Sequence, residues 1–159
     1  MITQELALHH FDYKDGELYW KNRTSNRNKL GQKAGSPDQH GYVNICFNYK
    51  KHKMHRIIFL IHHGYLPKEI DHIDGNPQNN AIENLRPANR SEQLCNTKLR
   101  KNNSSGVKGV CWDKAKQKWM VRVNKDKKNV YMGRFEDFEL AELVAIEARN
   151  KYHGDYAWH

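Results

Sequence analysis

No Cys-x-x-Cys pair occurs in the chain: its three cysteines, Cys46, Cys95 and Cys111, stand far apart. That spacing excludes a zinc ribbon, and an odd number without disulfide-like spacing fits a reducing compartment. Long apolar runs are missing too. The longest, Ile57 to Ile61, is far too short to span a membrane. Met1 to His10 lacks a basic start followed by an apolar stretch, so no signal peptide is expected, and the compartment read from the sequence is the cytoplasm. Negative charge is scarce, with 18 Asp and Glu against 27 Lys and Arg, for a formal charge of +9 and a pI of about 9.5. That sign points to a polyanionic partner, nucleic acid first among them. Apolar residues fill 38% of the 159 positions, enough for one modest core or two small ones.

The first seventy residues read as a framework. Thr3 is placed to cap a short helical turn to His10. Phe11 to Trp20 reads as two strand fragments around the turn Asp15-Gly16. Residues 21 to 39 are polar and basic and read as a loop. Gly41 to Phe47 alternates with period two, Tyr49 to His52 reads as a turn, and Lys53-Met54-His55 as the returning strand of a hairpin. Apolar residues from about 55 to 63 are too dense for an exposed face. They predict a buried helix that Gly64 ends and Pro67 follows. His62 and His63 read as helix-end histidines.

The chemistry concentrates in Asp71-His72-Ile73-Asp74-Gly75-Asn76-Pro77-Gln78-Asn79-Asn80, followed by Asn84-Leu85-Arg86. Few structural needs call for Asp-His-x-Asp-Gly-Asn at a strand end. Glu69 to Ile73 reads as a strand, 74 to 83 as a polar loop turned by Gly75 and Pro77, and 84 to 86 as a second strand. Asn89 and Glu92 fit a capping box for a helix running to about Arg100, with Gln93 and Asn96 on one face. Hydrolysis of a phosphodiester needs an activated water and relief of charge on the phosphate and the leaving oxygen. His72 can take a proton near neutral pH. Asp71 and an amide oxygen from the helix offer the hard ligands that Mg²⁺ prefers, and the metal would stabilise the phosphorane and the departing oxyanion.

Residues 53 to 100 resemble the HNH nucleases of the phage and intron-encoded homing type. The residues that carry the resemblance are His55-Arg56, Asp71-His72-Ile73-Asp74-Gly75-Asn76, Asn79-Asn80 and Asn84-Leu85-Arg86. The resemblance implies a ββα-metal core at about 68 to 100, His72 as the residue that activates water, and Asp71 as a metal ligand. Asn84 would fix the loop that holds the histidine, and Mg²⁺ or Mn²⁺ would be the cofactor. The helix residue that completes the metal site departs from the family pattern. Gln93 stands where an Asn is expected and Asn96 lies one turn on, so the second ligand is Gln93 or Asn96. Asp74, Asn76, Asn79 and Asn80 read as shaping the loop. Arg56 and Arg86 are expected to contact DNA.

Lys98, Arg100 and Lys101 lie in an acid-free stretch that also holds Asn102-Asn103-Ser104-Ser105-Gly106, a basic linker able to track a phosphate backbone. Three strands follow, at 109–112, 118–123 and 129–135, and then a helix whose Phe138, Ala141, Val144, Ala145, Ala148 and Tyr152 recur at helical spacing. The open sheet face is expected to carry Lys118 or Lys116, Arg122, Lys127, Lys128 and Arg134, with Trp112 or Trp119. Such a sheet can enter the major groove. This half resembles the APETALA/ethylene-response-factor DNA-binding domain through Ser105-Gly106-Val107, Gly109-Val110, Lys118-Trp119, Val121, Val123, Met132-Gly133, Phe135 and His153-Gly154-Asp155-Tyr156-Ala157.

The sequence thus predicts an α+β chain with a nuclease module at 1–101 and a DNA-binding module of three antiparallel strands and one helix at 102–159. The resemblance implies a metal-dependent endonuclease that hydrolyses double-stranded DNA, nicking it or cutting both strands. It would act in the cytoplasm of a bacterial host if phage-encoded, as a monomer or weak dimer, with no membrane partner. The alternatives are a DNA-binding regulator with a degenerate nuclease site and, on charge alone, an RNA-binding or virion component.

Overall fold

The computed structural model describes residues 2–23, 28–97, 99, 102–125 and 128–157. The chain divides into two compact units, Met1–Asn89 and Arg90–His159.

In the first unit Thr3 caps helix α1 (Gln4–His10), its hydroxyl accepting from the Leu6 N–H at 3.3 Å. Strands β1 (Phe11–Lys14) and β2 (Glu17–Trp20) pair antiparallel around Asp15-Gly16, both with positive φ. A second sheet holds β3 (Ser36–Pro37), β4 (Val43–Phe47) and β5 (Lys50–Lys53) in that order. The turn of its long hairpin is Asn48-Tyr49 alone. Lys50, Lys51 and His52, expected in the turn, belong to β5, where they pair with Phe47, Cys46 and Ile45. The strand is hard to see in the sequence because Lys50, Lys51 and Lys53 are all exposed and only His52 is half-buried.

Helix α2 (Met54–His63) follows without a break and takes Met54 and His55 from the expected strand. Gly64, at φ 75°, ends it with its N–H bonded to the Leu60 carbonyl, a left-handed conformation that glycine adopts without steric cost. Ile57, Ile58 and Phe59 are fully buried against Phe11, Leu18, Trp20, Ile45 and Phe47. Burial of each such side chain stabilises the fold by about 1.5–3 kcal/mol. Strands β6 (Glu69–His72) and β7 (Leu85–Ala88) form a separate antiparallel pair, with Ile70 and Leu85 closing the same core.

The second unit opens with α3 (Arg90–Cys95), shorter than the helix expected to reach Arg100, itself outside the described residues. The Lys108 ammonium donates to the carbonyls of Cys95 and Thr97, each at 2.7 Å, so the chain turns away there instead of winding on. Strands β8 (Val110–Asp113), β9 (Lys118–Lys125) and β10 (Lys128–Phe135) form an antiparallel sheet in the order β10-β9-β8. Asp137 caps α4 (Phe138–His153), whose Ala141 and Ala145 pack on Val110 and Val121. A Cβ on Gly109 would sit 2.6 Å from the Arg122 carbonyl, so the chain entering the sheet needs glycine there. Among the described residues no helix is long and apolar enough to cross a membrane. The fold is α+β in both units, and the three-stranded sheet packs on one helix as the sequence predicts.

Candidate active site and nucleic-acid face

Strand alternation in β6 sends Asp71 and His72 to opposite faces. Asp71 stands across from Arg86 in the register, and His72 across from Leu85. Arg86 Nε and Nη2 both donate to Asp71 Oδ2, at 3.0 and 2.8 Å. The two side chains are only 14% and 11% exposed. The predicted metal ligand is therefore already charge-compensated by an arginine that the sequence reading assigned to DNA.

His72 is 5% exposed and turned toward the core. Its Nε2 lies 3.1 Å from Asn80 Oδ1. Asn80 Nδ2 donates to the Gln78 carbonyl at 3.2 Å, which orients Oδ1 toward the imidazole. In the neutral ring Nε2 then carries the hydrogen and Nδ1 the lone pair. The His55 ring meets His72 edge-on with centroids 5.0 Å apart, and the Tyr42 ring lies 5.6 Å from His55 and 6.0 Å from His72. Lys53 Nζ sits 4.0 Å over the Tyr42 ring. Burial first, then repulsion from the neighbouring cations Lys53 and Arg56 and from any charge on the adjoining His72 ring, pushes the His55 imidazole down to about 3. It is neutral at working pH.

The loop between the strands is held by Asp74 and Asn84. Asn84 Nδ2 donates to Asp74 Oδ1 at 2.9 Å and to the Asn79 carbonyl at 2.8 Å, and its Oδ1 accepts from the Asp74 N–H at 3.0 Å. Asp74 also accepts from the Asn76 N–H and the Asn79 amide, at 2.8 and 2.7 Å. Burial opposes ionisation of Asp74, but these donors outweigh it and lower its carboxyl below the usual value. Arg56 donates to the carbonyls of Lys68 and Pro67, at 3.3 and 3.2 Å, and so ties α2 to the segment that enters β6.

Gln93 and Asn96 belong to the second unit, Gln93 half-buried in α3 and Asn96 buried just beyond it. Among the described residues no group of three or more His, Cys, Asp or Glu side chains is placed to hold a metal ion. On the sheet, register puts Trp112 opposite Trp119, and Trp119 stacks on Phe138 of α4 at 4.8 Å. Both tryptophans thus lie on the helix side, which corrects the expectation of one on the open face. Met120, Arg122, Tyr131 and Arg134 share the open face. Arg134 donates to Asp113 at 2.7 Å and to the Tyr131 hydroxyl at 3.2 Å, and Lys118 pairs with Glu136 at 3.0 Å. Arg122 is exposed, its Nε 3.3 Å from Met120 Sδ. Lys98, Arg100, Lys101 and Lys127 lie outside the described residues.

Tyr42, His55, and Asn80 as the partner of His72, join the site only through the fold. A histidine inside a dense apolar helix was the available signal for His55. The Asp71–Arg86 pair follows only once the strand register is known.

The HNH endonuclease family pattern matches residues 52–94, and the AP2 domain pattern matches residues 105–155. The chain is similar to "Protein 3.8" of Escherichia phage T7, with 38% identity over 113 residues that cover 69% of this chain and 91% of the relative. No solved structure matches. The HNH match takes in the β6–β7 pair with its Asp71, His72 and Asn84, and the AP2 match takes in the three-stranded sheet and α4. The chain belongs to the HNH endonuclease family, with an AP2 domain following its HNH domain.

Proposed function

We propose that the chain is a metal-dependent endonuclease of the homing type that hydrolyses phosphodiester bonds in double-stranded DNA. One observation carries this reading most directly: His72 Nε2 lies 3.1 Å from the Asn80 amide oxygen, an acceptor that favours a neutral ring with its hydrogen on Nε2 and so a ring still able to accept a proton. In this reading the His72 imidazole takes a proton from the attacking water, a role that contributes about 10²–10⁴-fold to rate. Asn84 keeps the loop closed around it through Asp74 and Asn79.

The donor chemistry fits a hard cation. Asp71 offers a carboxylate, Gln93 or Asn96 an amide oxygen, and Mg²⁺ commonly binds through one or two carboxylates plus waters and phosphate oxygens. These residues would hold Mg²⁺ or Mn²⁺. When bound, the cation supplies charge relief at the phosphate and the leaving oxygen. Arg86 shares the Asp71 carboxylate and sets its orientation. Arg56 serves the architecture of the site in the same way.

We assign residues 1–101 to the nuclease module, with a ββα-metal core at about 68–100, and residues 102–159 to DNA binding. The open sheet face with Lys118, Arg122 and Arg134 would add duplex affinity and site choice, joined by Lys127 and by the linker cations Lys98, Arg100 and Lys101. The setting proposed is the cytoplasm of a bacterial host, with the protein a monomer or weak dimer.

Nicking of supercoiled plasmid by the intact protein tests the reading. Relaxed product with Mg²⁺ or Mn²⁺, abolished by EDTA, is the expected result. A second reading, a DNA-binding regulator with a degenerate nuclease site, draws on Gln93 and on the occupation of Asp71 by Arg86. Tight duplex binding with no metal-dependent nicking would select it.

A further inference from the structure

The tip of the β4–β5 hairpin departs from what its geometry favours. Asn48 has φ 49° and Tyr49 has φ 60°. Two-residue turns with both central residues in that region favour Asn-Gly, since glycine alone enters it without steric cost. Tyrosine at the second position is a backbone outlier for a bulky residue. Its ring gains nothing inside the protein: Tyr49 is 103% exposed and stacks on no other ring among the described residues. Outliers of this kind cluster where structure serves binding.

The surroundings define the partner. From Gln39 to Lys68 the chain has no Asp or Glu, but it has Lys50, Lys51, Lys53, Arg56 and Lys68. Lys50 and Lys51 follow Tyr49 directly and are exposed. Lysines on an exposed ribbon are a common guard against strand-to-strand aggregation, which accounts for them but not for the tyrosine between Asn48 and Lys50. An aromatic ring beside two cations on a two-stranded ribbon fits a polyanion with stacking faces. A ribbon of this width enters the major groove of a duplex.

The hairpin also points back to the chemistry. Its base is Lys53, which lies over Tyr42 beside His55 and His72. Four residues of strand separate Tyr49 from Lys53, a span of about 13 Å, or about four base pairs of duplex.

We propose that Tyr49, Lys50 and Lys51 form a DNA contact on the nuclease unit itself, with the ring inserting at a base step that it partly unstacks and the lysines on flanking phosphates. It rests on the reading of the chain as a DNA nuclease, and it adds a specificity element that does not depend on the AP2 domain.

The test uses the full chain, a short labelled duplex and a 2-aminopurine reporter walked along one strand. Tyr49→Gly places glycine where the backbone favours it, so its melting temperature should stay or rise while duplex affinity falls about tenfold. Tyr49→Phe should bind like the parent. Lys50→Gln with Lys51→Gln should reduce the slope of log affinity against log salt by about two. The reporter should respond at one position with the parent and not with Tyr49→Gly. Parental affinity and reporter signal in a well-folded Tyr49→Gly variant would overturn the contact. If the parent nicks DNA and Tyr49→Gly binds unchanged, the contact fails while the nuclease reading stands. If affinity depends on Tyr49 but nothing is cut, the nuclease reading fails while the contact stands.

Discussion

Arg86 and Asp71 face each other across β6 and β7, and two guanidinium nitrogens converge on a single carboxylate oxygen. Both groups are largely removed from water, so each depends on the other. Arg86→Met removes the positive charge that Asp71 faces across the strands and should cost about 3–5 kcal/mol. Asp71→Leu combined with Arg86→Met removes both charges and should recover much of that loss. Urea denaturation of the single and double variants checks the ordering.

Asn80 Oδ1 lies 3.1 Å from His72 Nε2 and favours the tautomer with its hydrogen there. Asn80→Leu keeps the size and removes the acceptor, so the ring is free to adopt the other tautomer. Cleavage should fall by about 10- to 100-fold, well short of the full general-base contribution. Stability should drop by about 1–3 kcal/mol through the unsatisfied His72 donor. Single-turnover cleavage and denaturation, measured on the same preparation, separate the two effects.

His55 gives the protein a defined acid sensitivity. Its folded value is pushed down to about 3 from 6.5. Between those values the unfolded chain binds a proton that the folded chain does not, so stability falls as pH drops through 6.5 and levels off near 3. His55→Phe keeps an aromatic ring and removes the proton site. Its stability should vary less with pH over that window, as read by melting temperature from pH 4 to pH 7.

The Lys108 clamp on α3 is a local device of the second unit. Burial lowers the Lys108 ammonium below its usual value, yet its donors meet the carbonyls of Cys95 and Thr97. Lys108→Met should speed amide exchange in α3 about tenfold and leave exchange in β9 unchanged. Hydrogen exchange resolved by segment checks this.

How far these relationships could be read from the sequence depends on their range. The turn Asp15-Gly16, the αL cap at Gly64 and the apolar face of α4 are local, and spacing alone revealed them. Lys50 and Lys51 look like turn residues because both are exposed, so no apolar alternation marks the strand there. Helix α3 ends where Lys108 takes its carbonyls, thirteen residues away from Cys95, which no local pattern reveals. Asp71 and His72 stand out in the sequence by residue type and spacing. That Arg86 compensates one and Asn80 orients the other follows from register and loop closure. Trp112 and Trp119 share an alternation that fits either face, and only packing against Phe138 decides it.

The central claim is that His72 acts as the base. Single-turnover cleavage by His72→Ala, compared with the intact protein at matched duplex occupancy in Mg²⁺, tests it most directly. The account predicts a loss of about 10²–10⁴-fold in rate with duplex affinity unchanged. Equal cleavage by the two proteins would contradict it.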